Sequence, residues 1–321
     1  MDLEPDLEGG GRDGPWTDRA ACGGAVLRAS LAGSTLSRRL LASLAGLLAT
    51  SACGRLETIP CDPPQTPESW LASQPHVEVA VGSHRLVLVQ PSTSAIVFAL
   101  GLLTIGIGVR LLSRREGQRS RLAWGVALGL WGAGALLAGT SYEAFSYAIK
   151  CAGRATCAWT SWWEVGYLLL SGASVGAMVL GTAHACAAGR LRRALSAGAV
   201  AGVALYLAVV LTGAFVPVRF LVSFELLVLC AAPGFAALLV LSARRWRRGG
   251  DLLDRALLRA WLGLAAVFGA YCLYLGLGAG AALWAKDIWF SGNDVLHVGL
   301  IAWMLHLAAA VLPRLRDLPE A

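Results

Sequence analysis

The chain has 321 residues, of which 56% are hydrophobic and only 15% charged, and its mean hydropathy is +0.62. A soluble domain of this size is about a quarter charged and under half apolar, so two soluble domains, which the length alone would allow, are excluded. The net charge of +7 is spread over short loops with no interleaving of arginine and aromatic residues, and it calls for no nucleic-acid partner.

Residues 1–53 read as a leader. The first 34 residues are acidic, then Gly- and Ala-rich, without periodicity. LSRRLLASLAGLLATSAC follows, with two arginines, an apolar stretch and small residues ending at Cys53. That is the shape of a signal peptide. Ala49-Thr50-Ser51-Ala52-Cys53 also resembles a bacterial lipobox with Cys53 at the lipid-acceptor position, although Thr50 stands where leucine is preferred. Ordinary signal cleavage and an uncleaved hydrophobic segment are the alternatives. The long stretch ahead of this segment would fit a translation start closer to Arg38.

Residues 54–91 are expected to be exported. The Pro-rich IPCDPPQTPE reads as an irregular linker. VEVAVGSHRLVLVQ alternates apolar and polar residues on either side of Gly82-Ser83, the pattern of a hairpin. A lone hairpin is marginal in water, so it should pack as a cap on the outer ends of helices.

Apolar runs near the spanning length of about 20 residues lie at about 93–112, 122–147, 162–186, 195–215, 220–242, 257–283 and 295–312. The fold class is therefore all-α: a polytopic membrane bundle of seven transmembrane helices over 92–313, followed by a short tail at 314–321. Arg114, Arg115, Arg119 and Arg121 follow the first run, Arg190, Arg192 and Arg193 the third, and ARRWRRGGDLLDR the fifth; Arg314 and Arg316 lie in the tail. The opposite loops hold Lys150, Arg154, Arg219 and Lys286. The positive-inside rule then puts the amino terminus outside and the carboxyl terminus in the cytoplasm, as for a bacterial inner-membrane protein. Trp159, Trp162, Trp163, Trp284 and Trp289 would form an outer interfacial belt, and Trp124, Trp246 and Trp261 an inner one.

Eight cysteines are present. Cys151 and Cys157 flank an outer loop, CAGRATC, whose five intervening residues close around Gly153, so an oxidising compartment favours a disulfide. Metal binding is the alternative. Cys61 is a partner for Cys53 if Cys53 carries no lipid, and Cys186, Cys230 and Cys272 are expected as small apolar core residues.

The stretch SYEAFSYAIKC closes the second run. On a regular helix Glu143, Tyr147 and Lys150 share one face. Glu164 opens the third helix, with Ser171 and Ser174 below it. Glu225 is expected five or six residues inside the fifth, where an ionisable group is functional by default. Asp294 and His297 are three apart at the start of the seventh. These groups lie at one depth, near the outer surface. Ser141, Glu143, Tyr147, Glu164 and Glu225 are thus candidates for a ligand pocket, and Asp294 and His297 for holding Zn or Mn. Glu143, Glu164 and Asp294 as plain ion-pair partners of Lys150, Arg154 or Lys286 are the alternative.

Seven helices with the amino terminus outside, Ser141 late in the second helix and Asp294 and His297 on the seventh resemble the CREST group of membrane hydrolases, which includes alkaline ceramidases and adiponectin-type receptors. The resemblance implies a zinc held by three histidines with a serine and an aspartate nearby. Here it reaches Ser141, Asp294 and His297 only. His297 is followed by Ile301, so the HxxxH of the last helix is absent, and Ala138 and Phe145 stand where a second-helix histidine would be expected.

Residues 295–312 contain no lysine for a retinal Schiff base, so no retinal is expected. No internal repeat marks a transporter, and GxSxG, HExxH and Gly-rich phosphate loops are missing. The expectation is a ligand-binding or sensing module with an outward-facing polar pocket, its partners being membrane lipids and a small molecule or envelope protein. A metal-dependent hydrolase of lipid-like amides or esters is the alternative, and an envelope scaffold a further one.

Overall fold

The structure, a computed structural model, describes residues 55–319 apart from Asp62 and Ser83. The leader and Cys53 lie outside the described residues. Leu56–Thr58 forms a single 3-10 turn, followed by a short helix α1 (Pro67–Ala72) and two antiparallel strands, β1 (His76–Val81) and β2 (His84–Val89). The strands pair from His76 opposite Val89 to Val81 opposite His84, and Gly82 takes φ +61° in the connecting turn.

Seven helices long and apolar enough to cross a membrane follow: α2 (Pro91–Ser113), α3 (Arg119–Ala138, extended by a π-helical turn over Gly139–Ala144), α5 (Trp162–Cys186), α6 (Gly189–Phe215), α7 (Phe224–Arg247), α8 (Leu252–Gly276) and α10 (Gly292–His306). Helix α10 continues through a π turn and a 3-10 turn to Arg314. Two short helices sit between them, α4 (Ser146–Lys150) and α9 (Ala279–Trp284). Leucines and valines point outward along their lengths, Leu102, Leu205, Leu229 and Leu273 each more than 60% exposed. Helices apolar on both faces belong in a membrane rather than against water.

Six of the seven close a ring, α2–α3–α5–α7–α8–α10 and back to α2, while α6 packs on the outside of α5. Glycines allow the tightest step of this ring. A Cβ on Gly132 would stand 2.6 Å from the Gly101 carbonyl oxygen, and one on Gly108 would stand 2.9 Å from that of Gly125. Only glycine lets α2 and α3 approach this closely, the usual device where lipid supplies no hydrophobic drive. Ser174 adds a hydrogen bond from α5 to the Ala127 carbonyl of α3, 2.8 Å.

The two ends of the ring differ. At the end that carries the arginine-rich loops, Asp317 accepts the amide N–H groups of Arg119 and Ser120, both at 2.7 Å. Arg245 pairs with buried Asp254 at 2.5 Å. At the hairpin end, Leu56 and Ile59 pack with Val165, Leu168, Tyr206 and Val222. Arg154 makes two hydrogen bonds of 2.9 Å to Glu57, and Cys151 and Cys157 stand at disulfide distance.

Several sequence expectations change here. Trp124 and Trp261 do not sit in an interfacial belt. They are buried, stacked on each other with ring centroids 5.9 Å apart, and Trp261 also meets Trp303. Only Trp246 of that expected set is exposed. Hydropathy places tryptophan by depth, but packing across the ring decides whether it faces lipid. Of the three span cysteines, Cys230 and Cys272 are exposed on the outside of the bundle and Cys186 is buried. The expected sixth span stops at Gly276, because Gly278 at φ +61° breaks the helix before α9.

Candidate functional site

Inside the ring, in its hairpin-end half, lies a cavity of about 570 Å³, within the range of small-molecule sites. Trp131 and Phe235 form its base and rest on the buried indoles of Trp303 and Trp261. Its walls carry three tyrosines, Tyr142, Tyr167 and Tyr271, and two phenylalanines, Phe224 and Phe268. Its polar groups are Glu143, Glu225, Asn293, His297 and Ser171.

The π turn over Gly139–Ala144 positions the first of these. A wide turn shifts the helical phase, and such turns gather at functional sites. Here Ser141 turns toward α5 while Glu143 turns toward α10. Glu143 is 2% exposed; its Oε1 accepts a 3.0 Å hydrogen bond from Asn293 Nδ2, and its Oε2 has no hydrogen-bond partner among the described residues. His297 follows Asn293 by one turn of α10.

Glu225 is not five residues deep in a span. Arg219–Val222 is a separate 3-10 turn, and α7 starts after Ser223, whose side chain accepts the Leu226 N–H. Glu225 therefore stands in the first turn, next to the positive end of the helix dipole, exposed and facing the cavity.

A second polar cluster lies behind Tyr142. Lys150 Nζ donates to Glu164 Oε1 at 2.8 Å, and Ser141 Oγ donates to the same oxygen at 2.9 Å while lying 2.8 Å from Ser161 Oγ. Lys150 is 4% exposed and Glu164 1%. The ammonium also faces the rings of Trp70 and Tyr142, 5.2 and 5.1 Å from their centroids, so the cap helix α1 closes over it. Glu143, Tyr147 and Lys150 thus do not share a face. The helix is interrupted at Phe145, and Lys150 turns to Glu164 rather than Glu143. Tyr147 lies on α4 outside the cavity wall.

Asp294 is the N3 residue of a capping box: Ser291 N–H donates to its Oδ2 at 2.6 Å, and its own N–H donates to Ser291 Oγ at 3.2 Å. Of the two candidate metal ligands, His297 lines the cavity and Asp294 does not. Among the described residues no three His, Cys, Asp or Glu side chains converge. A zinc centre takes at least three protein ligands, so this donor set does not fit one.

Ser141, Glu143, Glu164, Glu225, Asp294 and His297 therefore divide into three groups: a cavity set (Glu143, Glu225, His297), a closed ion pair (Ser141, Glu164, with Lys150) and a helix cap (Asp294). Asn293, Tyr142, Tyr167 and Tyr271 join the cavity without having been singled out in the sequence. Asn293 stands beside Asp294, but an amide carries no charge to mark it in the sequence. The tyrosines had only their depth to mark them.

The fold and the cavity together define a polytopic helical bundle with a polar, aromatic-walled chamber at one end. No protein-family model, curated protein or solved structure matches the chain.

Proposed function

We propose that the chain is a multi-pass bacterial inner-membrane protein that binds a small molecule in the ring cavity, as a ligand-binding or sensing module. The hairpin end faces the periplasm and the arginine end the cytoplasm. The loop arginines support that orientation through the positive-inside rule. The cysteine pair at the hairpin end agrees with it, since disulfides persist on the oxidising side.

One observation carries the binding reading. Glu143 is buried at the cavity wall with one carboxylate oxygen unpartnered among the described residues. Such a group costs on the order of 1–3 kcal/mol or more when nothing meets it, and a ligand would meet it. The chamber is closed at its base by packed indoles.

Native mass spectrometry of protein released from mild detergent tests this. Ala138 lines the cavity, and Ala138→Trp places an indole in it. The expected result is a co-purifying small-molecule adduct on the natural chain that is absent from the variant. Ala231→Trp, from α7, gives the same result from another wall. Identical adducts on all three proteins would sink the cavity as the binding site.

A further inference from the structure

We infer that the occupant of this cavity is an organic cation, a protonated amine or quaternary ammonium on an apolar body. This rests on the cavity being a binding site and adds the charge and shape of what it takes.

Charge gives the first reason. Two carboxylates line the chamber, Glu143 and Glu225, and no lysine or arginine does. The nearby ammonium of Lys150 is already consumed by Glu164 at 2.8 Å. His297 is the basic side chain that lines the chamber, and Asp294 lies outside its wall. An anionic ligand would set a further negative charge beside two carboxylates, and a neutral donor would hydrogen-bond to the buried Glu143 Oε2 without balancing its charge. A buried carboxylate is tolerated when a cation is paired with it.

The walls give the second, independent reason. Tyr142, Tyr167 and Tyr271 line the same chamber as the acids, and Trp131 adds an aromatic base. Aromatic faces attract ammonium groups, most strongly where water is excluded, and rings gathered about a carboxylate are the usual cage for quaternary and substituted amines. Lys150 shows the preference at work in this chain: its ammonium lies against Tyr142, whose ring also lines the cavity. The base is apolar, with Leu100, Val175, Phe235 and Leu300. The complementary ligand has its charge toward Glu143 and its hydrocarbon toward Trp131 and Phe235.

Three probes with one body and three charges test this on the purified full chain in a neutral detergent: 4-phenylbutylamine, 4-phenylbutanol and 4-phenylbutyrate. Tryptophan fluorescence reads binding through Trp131, and calorimetry confirms it. The amine is expected to bind at least tenfold more tightly than the alcohol, and the carboxylate not measurably. Glu143→Gln should bring the amine down to the affinity of the alcohol and leave the alcohol unchanged, which a merely structural glutamate would not do. Ala138→Trp should abolish all binding, separating the site from partition into micelles.

Equal binding of amine and alcohol, both lost in Ala138→Trp, overturns the cation assignment and leaves the cavity reading intact. Amine selectivity that survives Glu143→Gln and disappears in Glu225→Gln overturns the role given to Glu143. Binding of no probe, or binding indifferent to Ala138→Trp, overturns the proposal outright; the cavity reading then stands or falls by the co-purified adduct.

Discussion

Lys150 shows what a single residue costs in this molecule. Its ammonium is 4% exposed, and desolvating an ion costs several kcal/mol unless its partners are well placed. Glu164, Ser141 and two aromatic rings supply those partners. Removing one ion strands the other. Lys150→Met is expected to lower stability by about 3–5 kcal/mol, measured by denaturant unfolding in micelles. Lys150→Met combined with Glu164→Leu should recover most of that loss. Additive losses in the double variant would mean that the two charges do not stabilise each other. The pairing itself is legible as an alternative: Glu164 as a plain ion-pair partner of Lys150 is one reading of the sequence, and the structure shows that pair. A regular helix, by contrast, puts Lys150 on the face of Glu143. The π turn that changes its direction is a product of packing, and no residue pattern announces it.

At the scale of elements, helix ends do much of the fixing. Asp294 and Ser291 cap α10 reciprocally. Asp294→Ala should cost about 1 kcal/mol while leaving amine affinity at the cavity within about twofold, the residue lying outside the cavity wall. A loss of binding as large as that from Glu143→Gln would place Asp294 in the site instead. The tail caps α3 in a similar way, through Asp317 and the Arg119 and Ser120 amides. Burial pulls the Asp317 carboxyl upward, but its interactions with Ser120 and the Arg119 amide outweigh this and hold it below its ordinary value. A carboxyl with a depressed folded pKa stabilises fully above its unfolded pKa, near 4, and loses that contribution as pH falls through the lower folded value. Asp317→Asn should therefore cost about 1 kcal/mol near neutrality. The difference from the natural chain should vanish in strong acid, below both pKa values. A gap unchanged from neutral to strongly acidic pH would show that the charge of Asp317 contributes nothing.

The whole molecule is a ring of six helices with a seventh outside, and its two ends answer to different chemistry. Arginines, the Asp317 cap and the Arg245–Asp254 pair close one end; the hairpin, the cysteine pair and the Glu57–Arg154 contact close the other. Carboxyl-terminal fusions test the proposed orientation. A green fluorescent protein fused after Ala321 should fluoresce, and alkaline phosphatase at the same point should be inactive. Active phosphatase with a dark fluorescent fusion would invert the molecule and put the cavity toward the cytoplasm.

The seven spans were readable because each is an apolar run of nearly fixed length, and the membrane thickness imposes that length whatever the helices pack against. The cysteine pair was readable because six residues of separation bring the two together locally. The alternation around Gly82 marked the hairpin for the same reason, since its pairing joins neighbours in the chain. Which side of each helix faces inward was not readable. Helices apolar all round have no stripe to align, so the burial of Trp124 and Trp261, the outward Cys230 and Cys272 and the meeting of Glu143 with Asn293, 150 residues apart, depend on how the ring closes. The chain by itself determined that this is a polytopic helical bundle with polar groups gathered at one depth. Only the tertiary structure divided those groups into a cavity wall, a sealed ion pair and a helix cap, because their roles follow from contacts between helices that hydropathy along one helix does not encode.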